Sequence, residues 1–240
     1  MKHIRIGWHD LLSRTIVAVL AAVICSTVGV SALEQTPMEP ICLSLPWSQE
    51  DSDIPDKHIS IGYGTPLLDN EPVPVIYYSQ ADPKYANQPF GSDKIITHGC
   101  GPTAMAMVVS SLTDRPMDPA QMAKWAYENG YWYARKGSLH ELIPGAAKAW
   151  ALDVVGYQAE DADHVWAALQ QKKLVVALMW PGHFTASGHF IVLCGLDADG
   201  KVVVADPASR SRSEVSWDFQ LIVDEAAESA GANGPFWVIG

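Results

Sequence analysis

Two short apolar runs rich in β-branched residues, Leu174–Met179 and residues 190–196, constrain this chain more than any other feature. Both are shorter than a typical helix and are bounded by polar or glycine-containing segments, so both read as strands. The second leads through Asp197-Ala198-Asp199-Gly200 into residues 201–205, apolar after Lys201, the pattern of an antiparallel hairpin. With Ala198-Asp199 as a two-residue loop, Asp197 faces Gly200 and Asp206 faces Ile191. Asp206 then shares a sheet face with His189, two residues along. Such diagonal neighbours stand roughly 7–8 Å apart at the backbone, within reach of a carboxylate and an imidazole. A slip of one residue puts the two side chains on opposite faces.

The rest of the chain supplies helices first and strands later. Gly99-Cys100-Gly101-Pro102-Thr103 opens an apolar helix, and Asp118-Pro119 caps a second that ends at Asn129-Gly130. Ser138-Leu139-His140-Glu141 is the pattern of a capping box opening a third helix towards Trp150, bent near Pro144. Residues 161–173 read as a fourth, with Val165, Trp166 and Leu169 on one face. Further strands are expected at Val154–Tyr157 and Phe236–Ile239. The layout is α+β.

Residues 1–32 read as a secretory signal peptide: Lys2, Arg5 and Arg14 precede the uncharged residues 15–30, and Val30-Ser31-Ala32 offers small residues for cleavage. The uncharged run is shorter than the ~18–20 residues of a spanning helix, so cleavage is expected over retention as a membrane anchor. Ile24 before Cys25 is too large for a lipoprotein signal. Residues 33–72, rich in Pro and acidic side chains, read as a linker or arm, and residues 73–240 as the folded domain. The expected location is secreted or extracytoplasmic.

After cleavage Cys42, Cys100 and Cys194 remain, an odd number that leaves at least one free thiol. The simplest pattern has all three unpaired, with a Cys42–Cys194 bridge as the alternative. Removing three basic residues and one acidic residue takes the net charge from −11 to −13. Such a surface repels phosphate backbones, and no basic stripe or zinc-finger spacing offsets it, so nucleic acid is excluded as a partner.

The chemistry centres on Cys100. A helix start gathers N–H groups and the positive end of the macrodipole, which favours a thiolate. A nucleophilic thiol needs a base, and Gly188-His189-Phe190 supplies one at an exposed strand mouth. Asp206, fixed before Pro207, would orient the imidazole. For the oxyanion of an acyl transfer, the Cys100 N–H is one donor and Gln80 a candidate second, though the residues alone leave Gln80 equally well a surface amide. A zinc site from His98, Cys100, His189 and Cys194 lacks the usual ligand spacing and would leave Gln80 and Asp206 without roles. Trp125, Tyr127, Tyr131, Trp132 and Tyr133 fit core packing or a peptide-cleft wall. His183 reads as an exposed loop residue near the site.

Tyr78-Ser79-Gln80-Ala81-Asp82, Gly99-Cys100-Gly101-Pro102-Thr103, Gly188-His189-Phe190-Ile191-Val192 and Asp206-Pro207, in that order over residues 74–210, resemble the double-glycine, or bacteriocin-processing, type of cysteine peptidase. The resemblance implies a papain-like fold with the nucleophile helix packed on an antiparallel sheet. It also implies Cys100 as nucleophile, His189 as general base, Asp206 as its orienter and Gln80 as the oxyanion-hole side chain, with a peptide or protein substrate and no cofactor or metal. The chain departs from the family's best-known members in having no transporter segment and no nucleotide-binding motif, so double-glycine specificity does not carry over. A catalytically silent peptide-binding module, or a cell-wall amidase or transferase with the same triad, are the competing functions.

Overall fold

The computed structural model describes residues 72–240; the expected signal peptide and nearly all of the expected arm lie outside the described residues. Six strands form one antiparallel sheet. In chain order they are β5 (Val154–Tyr157), β6 (Leu174–Met179), β7 (His189–Leu196), β8 (Val202–Ala205), β9 (Ser216–Trp217) and β10 (Phe236–Ile239), and across the sheet they run β5-β10-β6-β7-β8-β9. Two small hairpins, β1 (Pro89–Phe90) with β2 (Asp93–Lys94) and β3 (Trp132–Tyr133) with β4 (Gly137–Ser138), precede it. Among the described residues, no helix is long and apolar enough to cross a membrane.

The sheet is covered on both faces, which is why β6 and β7 are buried at every position instead of alternating. On one side, Leu174, Val176, Leu178, Phe190, Val192, Trp237 and Ile239 pack with helices α2 (Cys100–Leu112), α3 (Pro119–Glu128) and α4 (Leu142–Ala149). On the other, Val175, Ala177, Met179, Ile191, Leu193 and Val238 meet Val165, Ala168 and Leu169 of α5 (Ala162–Gln170) and Ile222 of α7 (Phe219–Asp224). Two very short helices complete the set, α1 (Ile95–His98) and α6 (Arg210–Ser213). The fold is α+β, with the nucleophile helix against the antiparallel sheet as expected.

Helix α3 begins where the sequence predicts. Asp118 accepts from the Gln121 N–H, Gln121 returns a bond to the Asp118 N–H, and Pro119 takes the first helical position. The capping box expected at Ser138 does not form. Ser138 belongs instead to β4, opposite Trp132, and α4 starts at Leu142 with no side-chain cap from Glu141. Ser138 packs against helix α2: a Cβ on Gly101 would lie 2.4 Å from Ser138 Oγ, so strand and helix touch through the glycine. The later start also removes the expected bend, because Pro144 falls in the first turn, where its missing N–H costs no bond.

The β7–β8 hairpin differs from the expectation in two places that cancel. The loop has three residues, not two: Asp197 N–H donates to the Lys201 carbonyl at 2.8 Å, and Gly200 takes the left-handed conformation with φ +75. The Asp197 carboxylate stabilises this longer turn by accepting from the N–H groups of Asp199 and Lys201. Leu196 therefore pairs with Val202 and Gly195 with Val203, one residue out of the expected phase. A bulge at Cys194 restores it, so that Leu193 pairs with Val204 and Val192 with Ala205. The carbonyl of the extra residue accepts from Val73 N–H at 2.8 Å, and Gly195 adopts φ +134 with its α-carbon against Pro72, where a Cβ would come within 2.8 Å of Pro72 Cα. Continued past Ala205, this register brings Asp206 beside Ile191, the alignment expected from the shorter loop.

Candidate active site

Cys100 is the first residue of α2 and is fully buried. Gly99 and Gly101 on either side admit close neighbours: a Cβ on Gly99 would lie 2.6 Å from the Ile95 carbonyl oxygen. His189 opens β7 opposite Met179 of β6, and its ring is hydrogen-bonded with the Cys100 thiol. Its Nε2 meets Asp206 Oδ1 at 2.7 Å. An ionised carboxylate only accepts, so Nε2 carries the proton and Nδ1 is the nitrogen left for the thiol. The strand mouth is closed, contrary to the exposed position expected for His189, since the imidazole and the Asp206 carboxylate are 3% and 0% exposed. The imidazole lies between the Cys100 thiol and the Asp206 carboxylate, which are themselves buried.

Asp206 follows the last residue of β8 and is held at every polar atom. Oδ1 also accepts from the Ala208 N–H at 2.8 Å, and Oδ2 accepts from Arg212 Nε at 2.6 Å. Its N–H donates to Ser213 Oγ at 2.9 Å, and its carbonyl accepts from the Tyr77 hydroxyl at 3.0 Å. Burial by itself pushes the carboxyl upward; the charges and hydrogen bonds of His189 and Arg212 outweigh this and hold it below the usual carboxylate range. For His189, burial favours the neutral ring, but the Asp206 charge and bond, with the Cys100 thiol, raise it to about 9.

Gln80 lies in the turn that follows residues 72–79, tied to the same corner by its N–H, which donates to the Pro207 carbonyl at 2.8 Å. One Nε2 proton goes to the Ile96 carbonyl at 2.8 Å, four residues before Cys100, and Nε2 has a second proton to give. Its Oε1 is buried with no hydrogen-bond partner among the described residues. All four expected site residues are therefore buried, and direct bonds join Cys100 to His189, His189 to Asp206, and Gln80 to the residue after Asp206.

The zinc alternative is not assembled. His98 bonds Thr97 Oγ1 through Nδ1 and sits 4.0 Å from Asp93, while the Cys194 thiol points to the Val192 carbonyl; no cluster of three metal-ligating side chains occurs among the described residues. Cys194 is a free, buried thiol, pushed up to about 12 by that burial against a weaker opposing bond from Ala205. Its alternative partner, Cys42, lies outside the described residues. The aromatic group divides: Trp125 stacks on Tyr131 and meets Trp150 edge-on as packing, whereas Tyr127 and Tyr133 are about half exposed. His183 is exposed and is hydrogen-bonded to Glu225.

Arg212, Ser213 and Tyr77 escaped the sequence reading. The one signal for the first two is Arg210-Ser211-Arg212-Ser213, two cations close behind Asp206-Pro207 in a chain of net charge −11.

The model of the Peptidase_C39 like family matches residues 73–230. Among solved structures, the chain is similar to a double glycine motif protease from an AMS/PCAT transporter in complex with the leader peptide, at 15% identity over 70% of this chain and 92% of that one, with a TM-score of 0.42. It is also similar to the peptidase domain of Streptococcus ComA, a bifunctional ABC transporter of a quorum-sensing pathway, at 16% identity over 65% and 96% of the two chains and a TM-score of 0.39. A putative C39-like peptidase from Bacillus anthracis matches at 14% identity over 60% and 89%, with a TM-score of 0.38. No curated protein matches the chain. With the family model spanning well over half of its length, the chain belongs to the Peptidase_C39 like family.

Proposed function

We propose that this chain is an extracytoplasmic cysteine peptidase that cuts peptide bonds through a thioester on Cys100. The observation that carries the reading is the row Cys100, His189, Asp206, with Nε2 on the carboxylate and the ring hydrogen-bonded with the thiol. Family membership supports a cysteine-peptidase type of function. Export rests on the basic, apolar and small-residue layout of residues 1–32.

In the first step the Cys100 thiolate attacks the scissile carbonyl carbon. The carbonyl electrons move onto oxygen, to which the Cys100 N–H and the second Gln80 Nε2 proton would donate. The C–N bond then breaks, and the imidazolium gives its proton to the departing amine. A water molecule attacks the thioester, His189 takes its proton, and the carboxylic acid leaves as the thiolate–imidazolium pair is restored. Substituting Gln80 with alanine is expected to lower kcat about 10²-fold, as loss of one oxyanion donor does, with KM nearly unchanged.

The pH dependence follows from the direction of each shift. His189 is raised above its ordinary value, so its charge is complete at low pH and is lost as pH rises through about 9. Asp206 is lowered, so its charge is complete above the ordinary carboxylate value and is lost as pH falls through its own depressed one. A profile of kcat/KM should therefore decline on the alkaline side near pH 9, where His189 no longer holds a proton for the leaving amine.

The decisive experiment incubates purified protein and its Cys100→Ala variant, under reducing conditions, with a diverse peptide library and with cell-wall fragments, and identifies products by mass. Peptide cleavage that disappears in the variant is expected. Cleavage that survives the substitution overturns the mechanism, and cleavage of wall fragments alone overturns the peptidase reading.

A further inference from the structure

The Asp206 carboxylate is gripped from two sides. His189 Nε2 and the Ala208 N–H share Oδ1, and Arg212 Nε alone takes Oδ2 at 2.6 Å. The helical turn α6 that carries Arg212 also takes the Asp206 N–H through Ser213 Oγ. That turn is itself fixed: Ser209 Oγ accepts from the Arg212 N–H, Ser213 Oγ donates to the Ser209 carbonyl, and Trp217 Nε1 of β9 donates to the Arg212 carbonyl at 2.9 Å. The neighbouring Arg210 takes Glu214 instead, at 3.1 Å, so the two cations of the turn have separate partners.

We propose that Arg212 is a positioning residue, which stops the Asp206 carboxylate from rotating and so keeps Oδ1 on His189 and the imidazolium against the Cys100 thiolate. The inference rests on the cysteine-peptidase reading. A carboxylate turns easily about its last bond, because that torsion is broad and two-fold. A guanidinium N–H is directional and always charged, which makes it a fixed stop for one oxygen.

Charge alone would act in the opposite sense. A second cation beside Asp206 repels the imidazolium, so if Arg212 worked only through its charge, removing it would strengthen the His189 charge. The groups facing the imidazole and its carboxylate are Cys100 from α2, Arg212 from α6 and the Tyr77 hydroxyl on the Asp206 carbonyl. Only Arg212 brings a permanent charge, so the two roles separate by sign.

The test needs no substrate. Alkylation of Cys100 by iodoacetamide is measured against pH in the full chain, with the modified peptide assigned by mass; Cys194, pushed up to about 12, stays protonated and silent over this range. A thiolate–imidazolium pair gives a plateau between a lower midpoint, where the thiolate forms, and an upper one, where His189 loses its proton. In Arg212→Gln the lower midpoint should rise and the upper one fall, each by about one pH unit, narrowing the plateau from both ends. Both midpoints moving up together would reduce Arg212 to a remote charge, and unchanged midpoints would make it structural only; either result overturns the proposal. Should Arg212→Gln fail to fold by circular dichroism, Arg212→Lys carries the same comparison, since an ammonium keeps the charge without the directional donor. It should narrow the plateau by a smaller amount, and unchanged midpoints there overturn the proposal equally. His189→Ala separates the two levels of the argument. If its profile matches wild type, the catalytic reading fails; if it alone abolishes the plateau while the Arg212 variants keep theirs at the wild-type width, only the inference about Arg212 falls.

Discussion

Asp206→Ala is expected to lose activity and stability together: turnover falling about 10²–10⁴-fold, and the melting temperature falling by roughly 6–12 °C. Removing one partner of a buried ion pair costs about 3–5 kcal/mol because the other charge is left behind. The lower end applies here, since His189 can release its proton and Arg212, whose side chain is 24% exposed, can turn towards water. Three donors lose their acceptor at once, namely His189 Nε2, the Ala208 N–H and Arg212 Nε. Activity falls for a separate reason, because the imidazole no longer has a fixed tautomer or a fixed direction. Parallel thermal melts and turnover measurements check both halves. A variant that loses turnover with an unchanged melting temperature would contradict the buried-charge argument while leaving the orienting role intact.

Cys100→Ala should divide the two properties. Peptide cleavage is expected to fall by at least ~10⁴-fold, since no other group here can form the acyl intermediate, while stability changes by no more than about 1 kcal/mol. The substitution removes one buried sulfur and leaves the His189–Asp206–Arg212 row bonded as before. Turnover and denaturant midpoints on the same preparations are the measurements. A large loss of stability would mean that the thiol is a packing element of α2.

The contrast between these two residues bears on what the sequence makes legible. Cys100 sits in a motif whose chemistry is local, with a helix start, flanking glycines and a thiol, and its placement follows from neighbours in the chain. Strands β6 and β7 were legible for a related reason, as continuous apolar runs. Arg212 was not, because its role depends on a turn folding back six residues to meet a carboxylate, and nothing in the local pattern marks that return. Ser138 misled in the opposite way: its capping pattern is genuine as local preference, but the residue lies against Gly101 and pairs with Trp132 in a strand. The burial of His189 was missed because it depends on layers contributed by distant segments. Export and nearly all of the arm rest on residues 1–71, which lie outside the described residues.

The hairpin that brings His189 to Asp206 also couples two places that look independent. The turn at residues 198–200 is one residue longer than the shortest loop, and Cys194 is one residue more than β7 needs, so the two surpluses cancel before the strand reaches the histidine. Were the bulge to close while the three-residue turn stayed, Cys194 would pair with Val204 and Val192 with Asp206, one step out of phase with the imidazole. Removing Cys194 itself would instead let Gly195 and Leu193 meet Val203 and Val204 with no bulge and leave the pair aligned. The site thus depends on where β7 holds its extra residue, and the bulge acts as the vernier by which it keeps its alignment.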